Sequence, residues 1–274
     1  MSAVQGARAS LGPGLRRLGT TLLSLVLSLA LVGVGWTVFL EVLNVSELVA
    51  KSPGDVWAYL FTVPEAAANR ETILSGLAVT LRDAGVGLVA GLLAAAAVAM
   101  SFVLWRTAER SLMPIAMVVR SVPLVAMTPV ITLAFGRDLL ATTVISGIVV
   151  FFPALVNLVF GLRSASPQAA DLVAAYGGSA WTAMRKVQIP SALPSFFAAA
   201  RIAAPGSLIG ALLAEWLATG RGLGYAMLTS GSNFRYDELW ASVVAVTLAS
   251  LAVYALVGVL EAAVLSRYAP RESR

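Results

Sequence analysis

Apolar runs alternate with short polar stretches along almost the whole chain. The runs extend from about Thr20 to Leu43, Leu77 to Val103, Leu112 to Phe135, Leu139 to Phe160, Phe196 to Leu217 and Trp240 to Leu265. Each is near the roughly 20 residues that carry a helix across a bilayer. The pattern predicts an all-α integral membrane protein with six transmembrane helices. The first run exceeds the ~7–15-residue core of a cleaved signal peptide and has no clear small-residue cleavage site, so it reads as an anchor. The expected order is a tail over 1–19, the anchor over 20–43, an outer segment over 44–76, a core over 77–265 and a second tail over 266–274.

One polar stretch, residues 163–194, stands out between the fourth and fifth runs. Asp171, Arg185, Lys186 and Gln188 would be costly in hydrocarbon, which places the stretch outside it. It reads as helix, break, helix. Ala169 to Tyr176 suits a helix, and Gly177-Gly178 allow backbone angles that other residues avoid. Ser179 can cap a second helix from Ala180 to about Val187. Pro190 and Pro194 are expected to stop it. Trp181, Met184 and Val187 recur at three-residue spacing and make one apolar face, with Arg185 and Lys186 off it. Such a hairpin suits docking of a partner.

Composition agrees with the membrane reading: 59% of the 274 residues are hydrophobic and 12% charged, against about 25% charged in soluble domains. The formal charge is +5. In a chain this apolar, basic residues mark cytoplasmic loops rather than a nucleic-acid surface. The loops on the side of the termini and hairpin carry the excess of arginine and lysine, which predicts that both termini and the hairpin are cytoplasmic. Cysteine and histidine are absent, so the chain lacks thiolate and imidazole metal ligands and the usual hydrolase triads. No metal site or catalytic residue is expected.

Other features are local. Ser52-Pro53-Gly54-Asp55 is turn chemistry, followed by a short interfacial helix over Val56 to Phe61. Gly85, Gly87 and Gly91 offer small surfaces for close helix packing. The third run contains Pro114, Pro123 and Pro129, so it is kinked or broken. Arg120 is either functional within this span or a tie between helices at its cytoplasmic end. Residues 105–110 read as a loop and 218–238 as a Gly-rich outer segment. Pathway candidates are Arg120, Pro123, Pro129, Ser146, Arg201, Ser207 and Glu215. Ser and Gly positions in such helices also serve packing.

These stretches resemble the permease subunit of binding-protein-dependent ABC importers. Ala175 to Pro194 resembles that family's cytoplasmic loop, with Gly178 followed by Val187-Gln188-Ile189-Pro190. Arg120 to Gly136, Ala214-Glu215-Trp216 with Gly222-Leu223-Gly224-Tyr225, and Ser52-Pro53 to Trp57 resemble its sulfonate, taurine, nitrate and pyrimidine-precursor branch. The loop's usual acidic residue is replaced by Leu172, with Asp171 one position earlier. The resemblance implies a second permease copy, a separate ATP-binding subunit and an extracytoplasmic solute-binding protein. It implies coupling to the ATPase through Asp171, Tyr176, Gly177, Gly178, Trp181, Met184, Arg185, Lys186, Val187, Ile189 and Pro190. It also implies contact with the binding protein at Gly222, Gly224 and Tyr225. No phosphate-binding G-x-x-x-x-G-K-[ST] motif occurs, so ATP and Mg are expected on the partner. A secondary transporter or channel is the alternative, but ion-coupled transport places ionisable groups mid-membrane, and here the central spans are nearly free of them.

Overall fold

A computed structural model describes residues 27–267 apart from 29, 45 and 47. Most of both predicted tails and the start of the first apolar run lie outside the described residues. The chain divides into two compact units, Met1–Ala66 and Ala67–Arg274.

The first unit contains helix α1, Ala30–Val42, and helix α2, Pro53–Trp57, which continues as a widened turn over Ala58–Thr62. The predicted turn chemistry is a capping box. The Ser52 hydroxyl accepts from the Asp55 backbone N–H at 3.2 Å, and the Asp55 carboxylate accepts from the Ser52 backbone N–H at 2.8 Å. These hydrogen bonds stabilise the ionised form and hold the Asp55 carboxyl below its ordinary range. A depressed pKa contributes stability that is present above the unfolded value and lost as pH falls through the folded one. Acidification below the ordinary carboxylate range should therefore open the box, with faster hydrogen exchange at the Ser52 and Asp55 amides. Asp55→Asn, which removes the titrating carboxyl, should abolish that pH step.

The second unit holds the long helices. These are α3 (Ala66–Leu104), α4 (Arg106–Ser121), α5 (Leu124–Phe135), α6 (Leu139–Arg163), α7 (Pro167–Ala175), α8 (Ala180–Thr219), α9 (Gly222–Ser232) and α10 (Tyr236–Leu265). Among the described residues, α3, α6, α8 and α10 are each long and apolar enough to cross a membrane. Helices α4 and α5 add a fifth crossing if they count as one span. The expected six spans are thus four or five among the described residues, where α1 is only 13 residues long.

Two boundaries differ from expectation. Helix α3 begins at Ala66, eleven residues before Leu77, because Ala66-Ala67-Ala68 and the residues after them are good helix formers. The predicted loop at 105–110 is mostly the first turn and a half of α4. The third run is broken, as its prolines led one to expect: two helices meet at 105°, since Val122 is extended and Pro123 starts α5.

A third difference concerns Pro190 and Pro194, which do not stop a helix. Helix α8 runs through both for 40 residues. A proline ring collides with the carbonyl four residues back in a regular helix. Here the turn Met184–Gln188 is widened, with the Ile189 N–H reaching the Met184 carbonyl. That widening displaces the carbonyl that would meet Pro190.

The core lies among α3, α6 and α8. Ala95, Ala99 and Phe102 of α3 pack with Val150, Ala154, Leu155 and Leu158 of α6 and with Met184, Ala199 and Ala203 of α8. Helices α6 and α8 share the longest contact, and α10 lies on α8.

Candidate functional site

Two regions of the second unit concentrate unusual chemistry, and they sit at opposite ends of α8. The first is the polar stretch. Ser166 caps α7 by accepting from the Ala169 N–H at 3.4 Å. The far end of α7 closes in a Schellman motif. The Gly178 N–H donates to the Val173 carbonyl at 2.8 Å, and the Gly177 N–H to the Ala174 carbonyl at 2.9 Å. Gly177 takes φ +76°, which L side chains rarely adopt. Gly178 has no room for a Cβ, which would lie 2.4 Å from Val173 Cγ1. Ser179 then caps α8 by accepting from the Thr182 N–H at 3.3 Å. Every join in this hairpin is thus closed by a local hydrogen bond.

The exposed face differs from the predicted one. Tyr176 is 87% exposed, Leu172 59% and Trp181 54%. Asp171, Arg185 and Lys186 are exposed beside them. Met184 is fully buried in the chain's own core, and Val187, Ile189 and Pro190 are half-buried. Met184 is therefore unavailable to a partner. The three-residue spacing misled because Trp181 and Met184 stand ~60° apart around a regular helical turn, enough to leave one exposed while the other faces the chain's own core. Leu172 on α7 and Tyr176, which caps its end one helical turn on, are the hairpin's other large exposed apolar side chains.

The second region surrounds Glu215, which is fully buried. One carboxylate oxygen, Oε2, accepts from the Thr80 hydroxyl at 2.9 Å and the Gly224 N–H at 2.8 Å. Thr80 in turn accepts from the Leu223 N–H at 3.0 Å. The other oxygen, Oε1, is buried without a hydrogen-bond partner. Gly222, at φ +83°, lies flat against the carboxylate, where a Cβ would come within 2.2 Å of Cδ. A Cβ on Gly224 would meet the Leu212 carbonyl oxygen at 2.4 Å.

The remaining predicted pathway residues divide by environment. Ser146 donates to the Ser207 carbonyl at 2.8 Å in the buried contact between α6 and α8, and Ser207 donates to Ala204. Both serve packing. Arg201 pairs with Glu261 and lies over the Tyr254 ring, tying α8 to α10. Glu215 is enclosed. Arg120, Pro123 and Pro129 are exposed, and Arg120 and Pro123 border a cavity of about 360 Å³ between the α4–α5 bend and Phe152 and Pro153 of α6. Of the predicted outer contacts, Gly224 is buried and Gly222 half-buried, while Tyr225 is exposed.

Residues 87–269 match the family described as the binding-protein-dependent transport system inner membrane component. The chain belongs to this family of ABC importer permeases. A probable ABC transporter permease protein of Haemophilus influenzae is 30% identical over 202 residues, covering 72% of this chain and 82% of that one. The formylaminopyrimidine transport permease protein of Halalkalibacterium halodurans is 30% identical, covering 56% of this chain and 61% of that one. The riboflavin transport system permease protein of Chloroflexus aurantiacus is 29% identical, covering 57% and 58% respectively. In the permease, sequence reasoning passed over Thr80, and it noted Leu172 for the acidic residue it replaces rather than as an exposed contact. Helical spacing with Tyr176 could have found Leu172. No local signal marks Thr80, which lies 135 positions from its partner.

Proposed function

We propose that two copies of this permease form the solute pathway of an ATP-driven importer in the bacterial plasma membrane. Two ATP-binding subunits dock at the α7–α8 hairpin, which faces the cytoplasm together with both termini. The hairpin supplies no nucleotide site, and ATP with Mg binds on the partner. A solute-binding protein delivers cargo at the opposite end. The observation that carries the reading is the exposed Leu172, Tyr176 and Trp181 face on a hairpin closed by local hydrogen bonds and continuous with α8.

Aromatic anchors in such contacts carry much of the binding energy. Arg185 and Lys186 flank the anchors and suit acidic residues on the ATPase. Nucleotide-driven closure of the ATPases then moves the hairpin, and α8 carries that motion through the membrane. The 360 Å³ cavity at Arg120 and Pro123 borders the candidate pathway. The two relatives named for formylaminopyrimidine and riboflavin transport favour a small heteroaromatic cargo, with the binding protein setting its identity.

Trp181→Glu tests the docking. Affinity purification of this variant should recover at least tenfold less ATP-binding subunit, the scale of losing a hot spot of ~2 kcal/mol. The thermal melt of the isolated permease should not change, because Trp181 lies outside its core. Undiminished recovery of the ATPase would rule out the hairpin as its dock.

A further inference from the structure

The Glu215 cluster is a fully buried polar assembly that joins three elements, and the pathway account leaves it without a role. Its parts come from three places. Thr80 belongs to α3, Glu215 to the last turn of α8, and Leu223 and Gly224 to the first turn of α9. No backbone ladder joins these elements. The carboxylate and the Thr80 hydroxyl bridge them, accepting the Gly224 and Leu223 N–H groups that a helix start leaves free.

The glycines around the cluster show how closely it is fitted. Gly222 leaves no space over the carboxylate, and Gly224 none over α8. A Cβ on Gly76 would meet the Leu223 side chain at 2.9 Å, one turn of α3 before Thr80. A buried carboxylate oxygen without a partner is costly, and native structures keep few of them. Packing alone would be served by an apolar residue in its place. The retained carboxyl is explained by the two N–H groups and the hydroxyl it organises.

Position gives the cluster its meaning. Helix α8 is a single rod of 40 residues, about 60 Å at 1.5 Å per residue. Its first turn carries Trp181, and its last turn carries Glu215. We infer that Glu215 is a positioning residue for transport: it pins the outer turn over 219–224 and α9 to both α8 and α3, so that motion passes between that outer surface and the ATPase hairpin along α8. This rests on the importer reading, in which α9 lies on the side where the binding protein arrives.

The test uses the assembled complex of permease and ATP-binding subunits in lipid nanodiscs. The probe is the solute-binding protein that co-purifies with the native complex. ATP hydrolysis is measured across a range of binding-protein concentrations. Glu215→Ala should lower the maximal stimulation at least tenfold and leave the half-stimulating concentration within about twofold. Glu215→Gln keeps an oxygen for the two donors and should restore more than half of the stimulation. Thr80→Val keeps the shape of the side chain and removes the hydroxyl, so it should give an intermediate loss. It also keeps the test decisive if Glu215→Ala fails to assemble.

Full stimulation in Glu215→Ala, or in Thr80→Val where the first variant does not assemble, overturns the inference. So does a Gln variant as defective as the Ala variant, since charge rather than hydrogen-bond geometry would then matter. A shift in half-stimulating concentration without loss of the maximum also overturns it, because Glu215 would then shape docking alone. A wild-type complex that hydrolyses ATP without response to the binding protein defeats the importer reading itself, which separates that failure from the others.

Discussion

Replacing Gly178 with proline should abolish coupled transport while leaving the long helices folded. Two effects combine at this position. Proline has no N–H, so the Val173 carbonyl loses the hydrogen bond that closes α7. The new Cβ would also fall 2.4 Å from Val173 Cγ1 and 2.7 Å from the Val173 carbonyl oxygen. The residue before a proline is driven toward extended backbone, whereas Gly177 must keep φ +76°. Helix α7 would therefore separate from α8, and Leu172 and Tyr176 would lose their fixed place beside Trp181. Binding-protein-stimulated ATP hydrolysis should fall at least tenfold in the reconstituted complex. The circular dichroism melt of the isolated permease should stay within a few degrees, because α7 contributes no buried residue. Normal stimulation would mean that the hairpin needs no rigid join. Gly177→Ala should be milder, costing about 1–2 kcal/mol of local strain from a side chain in left-handed backbone.

That hairpin was legible because its chemistry is local. The Ser179 cap and the Gly177-Gly178 closure act over spans of three to five residues, whereas the second helix runs on past its expected stop as α8. The apolar runs were legible because lipid requires unbroken hydrophobic stretches with internally satisfied backbone. Proline was harder to read. Pro123 follows an extended Val122 and marks a 105° bend, whereas Pro190 and Pro194 sit inside a continuous helix. The difference is a widened turn before Pro190, which the residue types do not announce. Met184 was assigned to a partner because three-residue spacing does not tell which edge of an apolar face meets the chain's own core. The Glu215 cluster was out of reach for another reason. Its carboxylate meets a hydroxyl on α3 that no spacing rule connects to it. In the sequence Glu215 was a pathway candidate near the end of a span, with nothing to show that it would be enclosed.

Two glycines of α3 look alike in sequence and should behave oppositely. Gly91→Leu should destabilise the permease by about 3 kcal/mol, at the upper end of the cost of overpacking. A Cβ at Gly91 would lie 2.7 Å from the Gly147 carbonyl oxygen and 2.7 Å from Val150 Cβ. Backbone cannot move aside as a side-chain tip can, so α3 and α6 would have to separate. The strain would spread along a seam of small residues. Gly87 faces Ser146 across the same contact, and Gly210 of α8 meets Ser146 from the other side. Gly85→Leu should be nearly neutral, because a Cβ there has no neighbour within 4 Å. Thermal unfolding of the two variants in detergent measures the difference directly. Equal melts would show that α3 and α6 do not approach as closely as Gly91 and Gly147 require. The seam matters for transport because it sets the spacing of α3, α6 and α8. If it opened, Thr80 on α3 would draw away from Glu215 on α8, and the outer turn would lose its anchor even with every residue of the cluster intact. Gly91→Leu complexes that still assemble should therefore lose binding-protein stimulation in proportion to their loss of stability, whereas Gly85→Leu complexes should keep both.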